Sequence, residues 1–258
     1  MSEIAPFIAF EKVFKSFGDF KVLEDVSFHV NPGETLCILG RSGVGKSVTL
    51  RLIMGFLYPD AGQIEVDGEE ISGYTDAQME HVRKKVTMVF QNGALFDSIS
   101  VGENVAFPLR ERGELDDDQI AIIVDKMLEM VGLAGMTDRL PSSLSTGMKR
   151  SVAIARALAA NPAAILYDEP TTMVDPLMAR LLGDLIQRLK HQLHLTSIVV
   201  THDVRFAKRL ADRILFLHEG QVRFFGVWEQ FEATNDPVLR QFIEMDQWNL
   251  PQLLTVNG

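Results

Sequence analysis

The chain has 258 residues, a mass of 28.8 kDa, 47% hydrophobic residues and a formal net charge of −10. That suits one large domain, or one core with an inserted subdomain, and excludes disordered, collagen-like and coiled-coil classes. No apolar run approaches the roughly 18 residues of a transmembrane helix, and the start lacks a basic, apolar leader, so neither a membrane span nor a signal peptide is expected.

In chain order, Ile8, Phe10, Val13 and Phe17 alternate as a strand that ends near the turn Phe17-Gly18-Asp19. Val22, Leu23, Val26, Phe28 and Val30 predict a second strand, closed by Asn31-Pro32-Gly33. Thr35–Leu39 is short and apolar and holds the single cysteine, Cys37. Burial suits that thiol better than reactivity, and one cysteine leaves no intrachain disulfide and no paired-cysteine zinc site. A soluble protein of a reducing compartment is the expectation. Residues 48–57 read as a helix, 63–66 as an alternating strand and 86–90 as another strand. Residues 92–160 read as mostly helical, because Ile120, Ile123, Val124, Met127, Leu128 and Val131 form a 3.6-residue stripe. Strands return at 164–167, 198–201 and 214–217, with helices between them. The layout predicts an α/β core with a largely parallel sheet and a helical insertion.

Two segments carry chemistry. Gly40-Arg41-Ser42-Gly43-Val44-Gly45-Lys46-Ser47 fits the phosphate-loop pattern GxxxxGK[ST] and stands between a strand and a helix. Glycines let backbone N–H groups converge on phosphate oxygens, the helix adds its positive end, Lys46 supplies a charge and Ser47 a Mg²⁺ ligand. The apolar strand 164–167 runs into Asp168-Glu169-Pro170. Asp168 there can reach a Mg²⁺ shell beside the phosphate loop, and Glu169 can polarise a water for in-line attack.

Five further segments stand in the order of an ABC-type ATPase, the family the chain resembles over about residues 6–230. The resemblance implies a P-loop (RecA-like) parallel-sheet core, an N-terminal antiparallel β subdomain and an inserted α-helical subdomain. It places the core at 1–91 and 161–235, the helical subdomain at 92–160, and a C-terminal helix and tail at 236–258. It implies ATP and Mg²⁺ as ligands. Phe17 resembles the aromatic that stacks on adenine, Val22 its apolar companion, and Val48 follows the phosphate loop within the nucleotide contact set. Gln91 resembles the Q-loop glutamine at the Mg²⁺ and water. Leu144-Ser145-Thr146-Gly147-Met148 resembles the LSGGQ signature, with Thr146 for the first glycine and Met148 for the glutamine; Ser145 and Gly147 keep the γ-phosphate contacts. Asp175 resembles the D-loop aspartate and His202 the switch histidine. The catalytic set so implied is Glu169, His202 and Lys46, with Ser47, Gln91 and Asp168 at the metal.

The family pairs two ATPase subunits head to tail, so each ATP lies between one chain's phosphate loop and its mate's signature. The resemblance is strongest to bacterial lipid-transport systems of the Mla/MCE type. Those imply an integral-membrane permease of the MlaE type, an MCE substrate-binding protein, phospholipid cargo and a place on the cytoplasmic face of the inner membrane. Other cargoes remain alternatives, as does a soluble ABC-type ATPase acting on DNA or ribosomes. One cassette, one cysteine and an acidic balance argue against that last reading, and no nucleic-acid partner is expected. Asp236-Pro237 opens a helix of about ten residues, with Val238, Phe242 and Met245 on one face and Leu239 and Ile243 beside it. With Trp248, Leu250, Leu253, Leu254 and Val256 beyond, that surface is expected to dock on the mate or on a small regulatory protein, or else to fold on its own core.

Overall fold

The computed structural model describes residues 5–247. Strands β1 (Ile8–Phe17), β2 (Phe20–Val30), β4 (Ala61–Val66) and β5 (Glu69–Glu70) form an antiparallel sheet in the order β2-β1-β4-β5. Strands β3 (Thr35–Leu39), β6 (Val86–Val89), β7 (Ala164–Asp168), β8 (Thr196–Val200), β9 (Arg213–His218) and β10 (Gln221–Val227) form a second sheet in the order β10-β9-β3-β8-β7-β6. It is parallel except for the β9–β10 pair. The α/β class, the antiparallel sheet and the helical insertion agree with expectation.

Strands β3, β7 and β8 are buried at every residue, as a sheet covered on both faces requires. Their side chains divide by parity between two cores. Cys37, Leu39, Ile165 and Tyr167 enter one; Leu36, Ile38, Ala164 and Leu166 enter the other, which continues under the antiparallel sheet. Burial also pushes the Cys37 thiol well above its ordinary pKa, so it is inert.

The helices are α1 (Lys46–Ile53), α2 (Asp76–Lys85), α3 (Val101–Arg112), α4 (Asp117–Met130), α5 (Thr146–Ala159), α6 (Pro176–Leu193), α7 (Val204–Leu210), α8 (Trp228–Glu232) and α9 (Pro237–Gln247). Asp116 caps α4 in a capping box, and Ile120, Val124 and Leu128 of the expected stripe are buried. α1 occupies 46–53 rather than 48–57, because the phosphate loop delivers Lys46 already helical and Gly55, at φ 65°, ends the run. α2 and β10 were not expected. α2 is largely polar and buries only Met79 and Val82, while β10 is a half-exposed edge.

The C-terminal helix turns one face inward. Leu239 and Ile243 are buried, Phe242 packs edge-on against Phe216 at 4.9 Å, and Met245 is exposed. α9 up to Met245 therefore folds on its own core; Trp248 and the later apolar residues lie outside the described residues.

Candidate functional site

Three neighbouring parallel strands deliver the site. β3 ends in the phosphate loop, β7 in Asp168 and Glu169, and β8, between them, leads to Thr201 and His202. This is the carboxyl edge where open parallel sheets hold ligands. Gly45 turns the loop into α1 at φ 104°, and a Cβ there would meet Leu23 Cδ2 at 2.6 Å and the Val22 carbonyl at 2.9 Å. Only glycine lets the loop lie this close to β2.

Lys46 is 5% exposed and donates to the Gly40 and Arg41 carbonyls at 2.9 and 3.0 Å. Its ammonium pairs with Glu169 at 3.4 Å. Burial lowers its pKa from the ordinary lysine value, against the pull of Glu169. The Ser47 hydroxyl donates to Asp168 Oδ1 at 2.7 Å. Burial raises the Asp168 carboxyl above its ordinary value, opposed by that hydroxyl and reinforced by Glu169. Glu169 sits at φ 46°, a strained conformation for a residue with a side chain. Its N–H donates to the Val200 carbonyl at 2.9 Å; its carboxylate lies 2.8 Å from His202 Nδ1 and accepts from the Thr172 hydroxyl at 3.4 Å. Thr172 was not singled out from the sequence. Its place three residues after Glu169, inside a turn, was the only signal.

Lys46, Ser47, Asp168, Glu169 and His202 thus form one constellation around the phosphate loop. Gly40 and Arg41 join it through their carbonyls on Lys46, whereas Phe17, Gln91, Ser145 and Asp175 make no hydrogen bond to it among the described residues. Phe17 is about half exposed on the β1–β2 hairpin, Gln91 is exposed just past β6, and Val48 packs toward the core beneath the antiparallel sheet. Ser145 caps α5, accepting from Met148 N at 3.3 Å, and Gly147 follows in its first turn. Asp175 caps α6, accepting from Met178 N at 3.0 Å. Arg41, Ser42, Gly43 and Val44 line a groove of about 540 Å³ with Phe20, Val22 and His218. Among the described residues no three His, Cys, Asp or Glu side chains are placed to hold a metal. One carboxylate and one hydroxyl, Asp168 and Ser47, are the hard oxygen donors that suit Mg²⁺, an ion that keeps waters and phosphates as its remaining ligands.

Residues 23–172 match the family model described as ABC transporter. The chain belongs to the ABC transporter family. It is an ATPase of that family. It is 41% identical over 227 residues to the intermembrane phospholipid transport system ATP-binding protein MlaF of Haemophilus influenzae, covering 88% of this chain and 86% of that one. It is 39% identical over 251 residues to Protein TRIGALACTOSYLDIACYLGLYCEROL 3, chloroplastic, of Arabidopsis thaliana, covering 89% and 71%. A solved ATP-binding cassette, in a dimeric post-hydrolysis state bound to ADP and Pi, superposes with a TM-score of 0.78 at 31% identity, over 85% of this chain and 98% of that one. No helix among the described residues of this ABC ATPase is long and apolar enough to cross a membrane.

Proposed function

We propose that this ABC ATPase drives phospholipid movement across a bacterial envelope, held at the cytoplasmic face of the inner membrane by an MlaE-type permease that works with an MCE substrate-binding protein. The similarity to MlaF carries that reading. A groove of about 350 Å³ supports the membrane contact. Phe56, Phe90, Phe96 and Phe107 line it with Met54 and Met88, and Arg83 and Arg156 lie over the Phe56 and Phe96 rings. An apolar helix of the permease fits such a surface. Buried Asn104 holds its rim: its amide donates to the Phe96, Ile99 and Ser100 carbonyls and its oxygen accepts from Phe96 N at 2.8 Å.

In the mechanism we infer, Lys46 and the phosphate-loop amides bind the β- and γ-phosphates, and Phe17 and Val22 hold the base and ribose. Ser47, Asp168 and Gln91 would hold Mg²⁺, which when bound neutralises charge on the phosphate oxygens. Glu169 accepts the proton of the attacking water, and His202 orients Glu169 and the γ-phosphate. A triphosphate in the loop competes with Glu169 for the Lys46 ammonium, so binding frees the carboxylate for its base role. Within one chain no hydrogen bond joins Ser145 or Gly147 to this constellation among the described residues. The dimeric solved cassettes support a second copy, arranged head to tail, whose Ser145 and Gly147 complete the site. The γ-phosphate then bridges two chains, closing the pair when ATP binds and releasing it after hydrolysis.

A tagged chain recovered from detergent-solubilised membranes tests the cargo. A multi-helix permease with an MCE protein and bound phospholipid is the expected result. A permease with another solute-binding partner would keep the transport ATPase and discard the lipid.

A further inference from the structure

The β1–β2 hairpin turns through Gly18, at φ 59°, and Asp19, and Phe17 pairs directly with Phe20 across it. Directly paired residues share a sheet face, and so do residues two apart on a strand. Phe17 and Phe20 therefore point to one side, and the register shift between Lys15 and Ser16 ends that alternation before Val22. Phe20, Lys21 and Val22 line the groove beside the phosphate loop together with Arg41, Ser42 and Gly43.

The two rings are not equivalent. The Lys15 ammonium lies 5.6 Å from the centroid of the Phe17 ring and is tethered to Asp60 at 2.7 Å, which covers part of that ring. Phe20 is 65% exposed, and among the described residues no aromatic ring or cation lies over it. The least covered ring of the hairpin is thus the one that lines the groove.

We propose that Phe20 is a base-stacking residue of the nucleotide site, a second ring beside Phe17. This rests on the assignment of Gly40–Ser47 as the triphosphate cradle, since the base of a nucleotide held there by its phosphates must lie outside the loop. Stacking uses the π-face that every base presents, so this ring favours large bases and tolerates guanine as well as adenine.

Calorimetric affinities for Mg-ATP and for Mg-tripolyphosphate, which has no base, separate stacking from cradle effects. Phe20→Ala is expected to weaken ATP binding about five- to a hundredfold, the range for one lost base stack, and to leave tripolyphosphate binding unchanged. Phe20→Trp is expected to restore ATP affinity. An unchanged ATP affinity in Phe20→Ala, or an equal loss for both ligands, overturns the proposal. Lys46→Ala must weaken both ligands; if it weakens neither, the cradle assignment itself fails and the Phe20 subsite falls with it.

Discussion

Replacing Glu169 with glutamine changes charge at nearly constant shape. The side chain keeps an acceptor for the Thr172 hydroxyl at 3.4 Å, and the strained φ of 46° costs glutamine what it costs glutamate. Two things are lost: the carboxylate proposed to take the proton of the attacking water, and the negative partner of Lys46 at 3.4 Å. Loss of a positioned general base costs about 10²–10⁴ in rate, or roughly 3–5.5 kcal/mol of barrier. Loss of the ion pair acts oppositely on binding, because the Lys46 ammonium no longer divides its interaction between a carboxylate and the phosphates. The variant is therefore expected to bind ATP at least as tightly as the native chain while turning over about 100- to 10,000-fold more slowly, and to persist as a pair in ATP. Steady-state phosphate release, nucleotide affinity and size-exclusion chromatography in ATP measure the three quantities. Unchanged turnover refutes the base assignment. A parallel collapse of ATP affinity would make Glu169 a structural support for the loop instead.

Lys46→Ala removes a charged donor from the phosphates and is expected to cost about ten- to a hundredfold in ATP affinity by calorimetry. Asp168 holds its proton more tightly folded than unfolded, because burial raises its pKa. Its contribution to stability is thus most favourable at low pH and is lost as pH rises through that raised value. Asp168→Asn is accordingly expected to raise the melting temperature at neutral pH while abolishing Mg²⁺-dependent turnover; a lowered melting temperature would contradict the burial argument. By the same sign, Mg-ATP affinity should fall as pH drops through the raised pKa in the native chain and stay flat in Asp168→Asn. Asn104→Ala strands the Phe96 amide and the Phe96 and Ile99 carbonyls, while the Ser100 carbonyl keeps the backbone N–H of residue 104, and is expected to cost about 2–4 kcal/mol in chemical denaturation.

What the sequence revealed follows from how local each signal is. The phosphate loop is eight consecutive residues whose glycine spacing is itself the backbone requirement, so Lys46 and Ser47 stand out from local spacing alone. Asp168 and Glu169 were legible because a wholly apolar strand stops at them. His202 became readable only through its order after those two, although the structure sets it 2.8 Å from Glu169. Thr172 and Phe20 were missed because each acts through a partner that only the fold supplies: the strained turn at Glu169, and the pairing across Gly18 and Asp19. α2 escaped for want of an apolar stripe, and five apolar residues around α9 left its inward face open, which burial assigns to Leu239 and Ile243 with Met245 exposed.

The strand order β10-β9-β3-β8-β7-β6 also sets when β3 can pair during synthesis. β3 leaves the ribosome early, yet both neighbours it pairs with in the finished sheet, β8 and β9, are translated about 160 residues or more later. At roughly 5–20 residues per second, Leu36, Cys37, Ile38 and Leu39 wait some ten to thirty seconds for their partners. During that interval a nascent chain already carries its entire phosphate loop, and its half-made sheet is the segment a chaperone has most reason to cover.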